Sequence, residues 1–380
     1  MKIDDKTSHN SPSLRFPEFT GEWKEFELGD IARVVGGGTP DTNNRRYWNG
    51  NIQWFTPSEI GKNKYVSNSL RTISEEGLNS SSAKLLPIGT ILLSSRATVG
   101  ECSINKRECT TNQGFQSLIP KENFLNEFVF YLMQTKRKEL IRKSCGSTFL
   151  EISANEVRKI KIAVPTRIEQ EKISKLLALL DERIVVQNRL IEDLKKLKCA
   201  ISNKLFQSVK GVAIPLSGIS NIVKGKQING DFLADVGEYY VMNGGTEPSG
   251  YYDNYNVEAN TISISEGGNS CGYVQFNRMP FWSGGHCYTI QDIVSDVETL
   301  YLYHYLKSKE DSIMKLRIGT GLPNIQKKDL AEFKVIIPAI EQQRTISNIL
   351  SLLERKNEIE GQLLIAMRTE KQYLLRQMFI

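Results

Sequence analysis

The sequence predicts a mixed α/β chain, an internal duplication in which two similar globular α+β units are joined by two long helices with coiled-coil seams. Three observations predict it. First, 380 residues exceed the roughly 100 to 200 of one domain, and 40% hydrophobic with 24% charged residues is ordinary globular composition, which argues against a disordered chain, a collagen or a disulfide scaffold. Second, the chain matches itself at an offset of 173. Gly146-Ser-Thr-Phe-Leu-Glu-Ile-Ser pairs with Gly319-Thr-Gly-Leu-Pro-Asn-Ile-Gln, and Lys159-Ile-Lys-Ile-Ala-Val-Pro165 with Glu332-Phe-Lys-Val-Ile-Ile-Pro338. Third, each of those prolines opens about 40 residues that hold no Gly or Pro in the first copy and only Gly361 in the second. Apolar residues there alternate steps of four and three (173, 177, 180, 184), the spacing of a coiled-coil seam.

In chain order, residues 1–20 read as an N-terminal arm, 21–165 as the first globular unit and 166–208 as a central spacer helix. Residues 209–338 form the second unit and 339–380 a C-terminal spacer helix. Before each proline, short apolar runs such as Ile88-Gly-Thr-Ile-Leu-Leu alternate with Gly, Asn and Ser clusters, the pattern of strands and turns. Thr90-Ile-Leu-Leu-Ser recurs as Thr261-Ile-Ser-Ile-Ser, and Val99-Gly100 as Cys271-Gly272. Helical spacing predicts one helix near 126–143, carrying Phe128, Leu132 and Leu140, and its repeat near 297–313. A 40-residue helix is roughly 60 Å long and cannot hide its stripe inside a domain of this size. Either the two helices pair with each other, the favoured reading, or each packs on its own unit. Polar seam positions Gln187, Lys198, Asn357, Glu360 and Lys371 would fix register, or mark where the helices splay to meet other subunits.

Catalytic signatures are missing. The chain has no phosphate-binding Gly-Lys-Ser/Thr loop, no His-Glu-x-x-His, no Gly-x-Ser-x-Gly and no Pro-Pro of an amino-methyltransferase tetrapeptide. Its three histidines, His9, His286 and His304, stand apart in sequence. Glu332-Phe-Lys334 has the local form of a nuclease carboxylate-lysine pair, but its repeat partner is Lys159-Ile-Lys161, so it reads as the solvent face of a strand. Six scattered cysteines without a Cys-x-x-Cys pair read as reduced thiols, with no metal site. No apolar run reaches the 18 to 20 residues that span a bilayer, and the opening lacks a signal-peptide core, so a cytoplasmic chain with no membrane partner is expected.

Binding chemistry is better represented. Each unit carries Gly-, Asn- and Ser-rich loops with basic and aromatic residues interleaved, as expected where backbone and short polar groups approach phosphates and base edges. The candidate DNA contacts are Gly38, Thr39, Arg45, Arg46, Ser95, Arg96, Thr98, Asn112 and Gln113 in the first unit. In the second they are Lys224, Lys226, Gln227, Asn243, Asn269, Ser270 and His286. The net charge of +6 decides nothing by itself, but its partition does: residues 24–164 carry +6 and residues 208–338 carry −3. The first unit is expected to be the stronger phosphate binder.

The pattern resembles the specificity subunits of bacterial type I restriction-modification systems. The resemblance rests on Gly36-Gly-Gly-Thr-Pro40, Tyr47-Trp48, Ile52-Gln-Trp54, Gly89-Thr-Ile-Leu-Leu-Ser-Ser-Arg96, and Pro165 leading into Glu169-Gln170 and Ile173. Arg15-Phe-Pro-Glu-Phe-Thr-Gly-Glu-Trp23 also looks like the opening of Gram-positive members. The second copy departs in having Gln342-Gln343 at the aligned positions and in lacking the Gly-Gly-Gly-Thr-Pro loop. The resemblance implies a non-catalytic reader of double-stranded DNA whose globular units are target recognition domains, one for each half of a bipartite asymmetric site. It implies assembly with two modification subunits and with restriction subunits that translocate DNA. No cofactor is expected in this chain; S-adenosylmethionine, ATP and Mg belong to those partners. Spacing and subunit docking would fall to the helices, which the resemblance pairs as an antiparallel coiled coil with pseudo-twofold symmetry, through Glu169, Gln170, Ile173, Leu177, Leu180, Ile191, Ile346, Leu350, Leu353 and Leu364.

Overall fold

The computed structural model of the chain describes residues 10–146, 150–319, 321 and 323–380. His9 with the first part of the arm, and Ser147, Thr148, Phe149, Thr320 and Leu322 of the repeat motifs, lie outside the described residues. Contacts divide the chain into two units, Met1–Val186 with Leu364–Ile380, and Gln187–Leu363. Each unit therefore contains a globular part and a segment of each long helix.

Unit 1 begins with β1 (Lys24–Glu27), α1 (Leu28–Ile31), β2 (Ala32–Gly36), β3 (Trp48–Phe55), β4 (Tyr65–Val66), β5 (Arg71–Ile73) and α2 (Glu75–Asn79). It continues with β6 (Ile91–Leu93), β7 (Cys102–Asn105), β8 (Cys109–Thr111), β9 (Gln116–Pro120), α3 (Asn126–Arg142), α4 (Ala154–Arg158), β10 (Lys161–Val164) and the start of α5 (Arg167–Ser208). The main sheet has the order β2-β9-β6-β7-β4; a second sheet is β5-β3-β8, and β1 pairs with β10. β6 is buried at every residue, as its uninterrupted Ile-Leu-Leu requires. α3 turns Phe128, Leu132 and Leu140 into the same core, which Ile173 and Leu177 of α5 enter as well.

Unit 2 repeats the plan with β11 (Val212–Pro215), β12 (Asn221–Lys224), β13 (Tyr239–Met242), β14 (Tyr251–Tyr252), β15 (Thr261–Ser265), β16 (Val274–Asn277), β17 (Trp282–Ser283) and β18 (Cys287–Gln291). Then follow α6 (Thr299–Ser308), α7 (Glu310–Met314), α8 (Lys327–Ala331), β19 (Lys334–Ile337) and α9 (Ile340–Gln377). Its main sheet is β12-β18-β15-β16, with β14-β13-β17 and β11-β19 beside it. Two sequence expectations need correction. The single helix expected over 297–313 is broken at Lys309 (φ −106°, ψ 13°), where the Glu310 carboxylate turns to accept the Val274 N–H at 2.8 Å. Glu332 lies just past the end of α8 rather than on a strand; only Lys334 belongs to β19.

Both readings of the helices hold, on different faces. In unit 1, Ile173 and Leu177 pack into the globular core together with Leu375, Met378 and Phe379 from the end of α9, and the Phe379 ring stacks on Phe128 at 5.2 Å. In unit 2, Ile346 and Leu350 of α9 enter the core with Phe206 of α5. Polar seam residues set an antiparallel register. Lys371 meets Asp181 at 2.6 Å in unit 1; in unit 2 Gln187 Nε2 donates to Glu360 Oε2 at 2.6 Å and Lys198 meets Glu354 at 2.7 Å. Buried polar groups that match in one register only are the recognised way to specify it.

Glu169 and Gln170, expected on a docking surface, are buried inside unit 1. Glu169 accepts Arg15 Nε and Nη2, both at 2.7 Å, and Trp23 Nε1 at 3.3 Å. Gln170 Nε2 donates to Pro165 O at 3.0 Å while its Oε1 accepts the Leu125 N–H at 2.9 Å. Gln343 does the same in unit 2, bonding Pro338 O at 2.9 Å, Asp296 O at 3.0 Å and the Glu298 N–H at 2.9 Å. These side chains face inward because a helix starting directly from a buried strand end leaves carbonyls and N–H groups that water cannot reach.

Two stability effects follow. Arg15→Ala strands the Glu169 carboxylate, whose side chain is 1% exposed, and should lower unfolding stability by roughly 3 to 5 kcal/mol in urea titrations; a loss under about 1 kcal/mol would show that the carboxylate finds water. In unit 2, burial pushes the His304 pKa down to about 4, Glu354 opposing the shift and Lys198 adding to it. The unfolded histidine titrates near 6.5, so between those values the unfolded state binds the extra proton and stability falls as pH falls. Unfolding measured from pH 7 to 4 should show this slope, worth about 3 kcal/mol at most, and His304→Gln should flatten it.

Candidate nucleic-acid interface

In unit 1 the loops flagged by sequence converge beyond the ends of β2, β6 and β8. Gly38 N–H donates to Thr111 O at 2.8 Å, Thr39 Oγ1 donates to Gln113 Oε1 at 2.5 Å, and Ser95 N–H donates to Gly114 O at 2.8 Å. The antiparallel bridge between Cys145 and Glu151 closes the cluster, with Ile152 N–H on Ser95 O at 2.9 Å. Gly37 makes this possible: a Cβ there would lie 2.0 Å from Asn112 O and 2.4 Å from Thr111 O. Arg96 is exposed and carried to Glu151, with Nη2 at 2.6 Å from the carboxylate. Thr98 Oγ1 bonds Ser94 Oγ at 3.1 Å, and Asn112 Oδ1 accepts the Gly114 N–H at 2.9 Å, which fixes the loop's own turn.

Arg45 and Arg46 stand on a separate one-turn helix capped by Asn44, both exposed. Tryptophans link that turn to the cluster: Trp48 Nε1 donates to Asp41 O at 3.1 Å and Trp54 Nε1 to Gly38 O at 2.9 Å. Two candidates are buried: Gly38, whose N–H and C=O are both engaged within the frame, and Ser95. Ser95 is fully buried with an unpartnered Oγ, because its residue carries the backbone bonds that join two loops, so it supports the surface without reaching it.

Unit 2 builds the same frame from different residues. Gly225 N–H donates to Cys287 O at 2.9 Å and Lys226 N–H to Ser283 O at 2.8 Å, and a Cβ on Gly225 would lie 2.1 Å from Gly284 O. Lys224-Gly-Lys-Gln227 therefore occupies the place of Gly36-Gly-Gly-Thr, although the sequence motif is absent. Trp282 Nε1 donates to Lys226 O at 2.9 Å, the counterpart of Trp54 on Gly38. Asn243 Oδ1 accepts the His286 N–H at 3.1 Å, while Ile325 N–H donates to Glu266 O at 2.9 Å just as Ile152 does to Ser95. Asn269 is exposed and Ser270 half-buried on the loop after β15.

Sequence reasoning missed three contributors. Arg71 is exposed with its guanidinium 3.5 Å from the Trp48 ring centroid, brought there by the pairing of β5 with β3. Glu151 and Glu266 are the carboxylates that hold Arg96 and Lys224, the latter at 2.5 Å. Glu266 also accepts Tyr288 OH at 3.1 Å and stands 3.5 Å from His286 Nδ1. Burial first, then Glu266, pushes the Tyr288 hydroxyl pKa up. Local sequence gives no sign of Arg71, but the offset of 173 places Glu151 opposite Asn324 in the bridge that closes each cluster, which could have marked it.

Two copies of one loop-bearing unit, with a shared main-chain frame and different exposed side chains, define a duplicated recognition protein. The model of the type I restriction modification DNA specificity domain matches residues 20–196 and again 212–367, and the chain belongs to that family. It is 36% identical over 189 residues to the type I restriction enzyme MjaIX specificity subunit of Methanocaldococcus jannaschii, covering 49% of this chain and 44% of that one. It is 32% identical over 171 residues to the EcoR124I/EcoR124II specificity subunit of Escherichia coli, covering 43% and 42%. The match spans less than half the length of these two relatives. The fold is similar to that of the type I restriction-modification S subunit from M. genitalium, at a TM-score of 0.66 and 20% identity over 97% of this chain and 99% of that one. Among the described residues no helix is long and apolar enough to cross a membrane.

The frame makes its own prediction. Gly37→Ala should disrupt the first cluster and Gly225→Ala the second, each without loss of the sheets. Amide exchange at Gly38 or Lys226 should rise at least tenfold in the matching variant and stay unchanged in the other unit. Unchanged exchange in both variants would mean that the loops do not depend on these close approaches.

Proposed function

We propose that this chain is the non-catalytic, sequence-reading specificity subunit of a type I restriction-modification complex, each globular unit reading one half of a bipartite asymmetric site in double-stranded DNA. The long helices set the number of base pairs between the halves and dock two modification subunits. That assembly methylates adenine, and restriction subunits joined to it translocate and cleave. S-adenosylmethionine, ATP and Mg would be bound by those subunits, and the complex would work in the cytoplasm.

The duplicated loop frame carries this reading. Corresponding main-chain bonds, with Gly38, Thr39 and Arg96 in one copy and Lys226, Gln227 and Gly267 in the other, suit two half-sites of different sequence. Arginine pairs with guanine, and Asn or Gln with adenine. The ion pairs that hold the loop cations in place are partly exposed, worth at most about 1 kcal/mol for Arg96 with Glu151, so a phosphate or base can replace the carboxylate. Apolar residues left bare on the helices, Val185 and Ile365 in unit 1 and Ile359 and Leu363 in unit 2, suit the apolar stripe of a partner helix. With +6 on one reader and −3 on the other, tight binding would come from the assembled complex.

Methylome sequencing of a host expressing this chain with its modification subunit tests the reading, because it reports target and gap together. Inserting four residues in α5, about 6 Å of helix, should lengthen the gap between half-sites by about one or two base pairs; an active variant with an unchanged gap would sink the spacer role. Arg96→Ala should weaken binding by about 1 to 3 kcal/mol and relax base preference in one half only, whereas uniform loss across sequences would make it a phosphate contact.

A further inference from the structure

The two units differ at one edge of their main sheets. In unit 1, β4 lies parallel to β7, with Ile104 N–H donating to Lys64 O at 2.7 Å and Lys106 N–H to Val66 O at 2.8 Å. Lys64 anchors that strand: its Nζ lies 3.2 Å from Glu127 Oε1, 3.2 Å from Tyr131 OH and 4.9 Å from the Tyr131 ring centroid. Tyr65 also bonds Glu127, and burial first, then Glu127, with Glu182 and Asp181 adding less, pushes its pKa up. In unit 2 the counterpart of β7 is β16, and among the described residues no strand pairs with its outer edge. The chain there is shorter, running 243–260 between β13 and β15 where unit 1 has 56–90 between β3 and β6.

That edge is only half covered. Val274 gives its N–H to Glu310 Oε2 at 2.8 Å, and its carbonyl accepts Lys307 Nζ at 2.9 Å. Two residues on, the Phe276 N–H and C=O point the same way, away from β15, and have no partner among the described residues. A groove of about 720 Å³ opens beside them between β16, α6 and α9. Gln275 lines it, with its Oε1 buried and unbonded. An open edge next to an apolar groove is a template for a further strand.

The groove's charge differs from that of unit 1. At the offset of 173, Glu127 and Glu182 become Leu300 and Arg355, and Glu354, in the place of Asp181, is already held by Lys198 at 2.7 Å and Tyr303 OH at 3.1 Å. The groove's other carboxylate, Glu358, lies 3.4 Å from Arg278, so a lysine there would compete with a cation at either one. We propose that the β16 edge receives an extended segment of a second polypeptide as a parallel fifth strand, with an aliphatic or aromatic residue where Lys64 stands in unit 1 and an acidic residue in place of Tyr65, facing Arg355.

Two labelled peptides test this on the full chain, one with the sequence of residues 61–69 and one carrying Lys64→Leu and Tyr65→Glu. The substituted peptide should bind at least about tenfold more tightly, a difference near 1.4 kcal/mol, and should slow amide exchange at Phe276 and Arg278. Arg355→Glu, a change on an exposed helix face, should reverse the preference toward the parent peptide. Absence of binding at about 1 mM, equal binding of both peptides, or protection elsewhere in the chain would overturn the proposal. So would β16 protection that grows with protein concentration in the absence of peptide, which would make this edge a contact between copies of this chain.

Discussion

The side-chain amide of Gln170 holds the end of β10, the start of α3 and the first turn of α5 in one arrangement, and Gln343 does so for β19, α6 and α9. Each amide is buried, and both its oxygen and its nitrogen are engaged with main chain on either side of the junction. A satisfied buried amide costs little, but one left half-satisfied costs about 1 to 3 kcal/mol, so the helix cannot swing without breaking bonds that water cannot replace. Most of the later packing depends on this. With the first turn fixed, Ile173 and Leu177 must enter the core of unit 1, and Ile346 and Leu350 that of unit 2. The remaining seam residues then meet the other helix in a register that Asp181 with Lys371, and Gln187 with Glu360, allow only once.

The loops at the ends of the strands inherit that rigidity through main-chain bonds rather than through side-chain packing. Carbonyl and N–H groups join Gly38 to Thr111 and Ser95 to both Gly114 and Ile152; Lys226 meets Ser283, and Glu266 meets Ile325 in the same way. Arg96 and Lys224 sit beside carboxylates, so these two loop cations are placed before anything binds to the surface. Preorganisation of this kind reduces the side-chain entropy lost on binding.

Much of this was legible in the sequence. The duplication, the long helices, the buried seam positions and the loops that converge all show as periodicity or self-similarity, because each repeats a local pattern along the chain. What was misread concerns which way a residue faces. Glu169-Gln170 stood out as a motif, but only the packing of the arm's Arg15 and of Trp23 against it makes it an internal anchor. Ser95 carried the composition of a contact and is a buried strut. Arg71 was invisible because its place beside Trp48 comes from strand pairing, and the fit of Lys224-Gly-Lys-Gln into the position of Gly-Gly-Gly-Thr was hidden because main-chain geometry is shared there while side chains are not. Breakage of the 297–313 helix at Lys309 depends on a tertiary bond from Glu310 to Val274, which periodicity cannot express.

The glycines at 37 and 225 separate two kinds of position within a few residues of each other. At these sites any side chain collides with a carbonyl, so the fold admits almost no variation. Two residues on, Thr39 and Gln227 lie at or near the surface, where a substitution ordinarily changes stability by no more than about 0.5 kcal/mol. A chain built this way can change its exposed loop side chains by single steps that its folding barely registers, and can do so in one copy while the other stays as it was; tolerance to substitution on this surface is thus a property of the backbone.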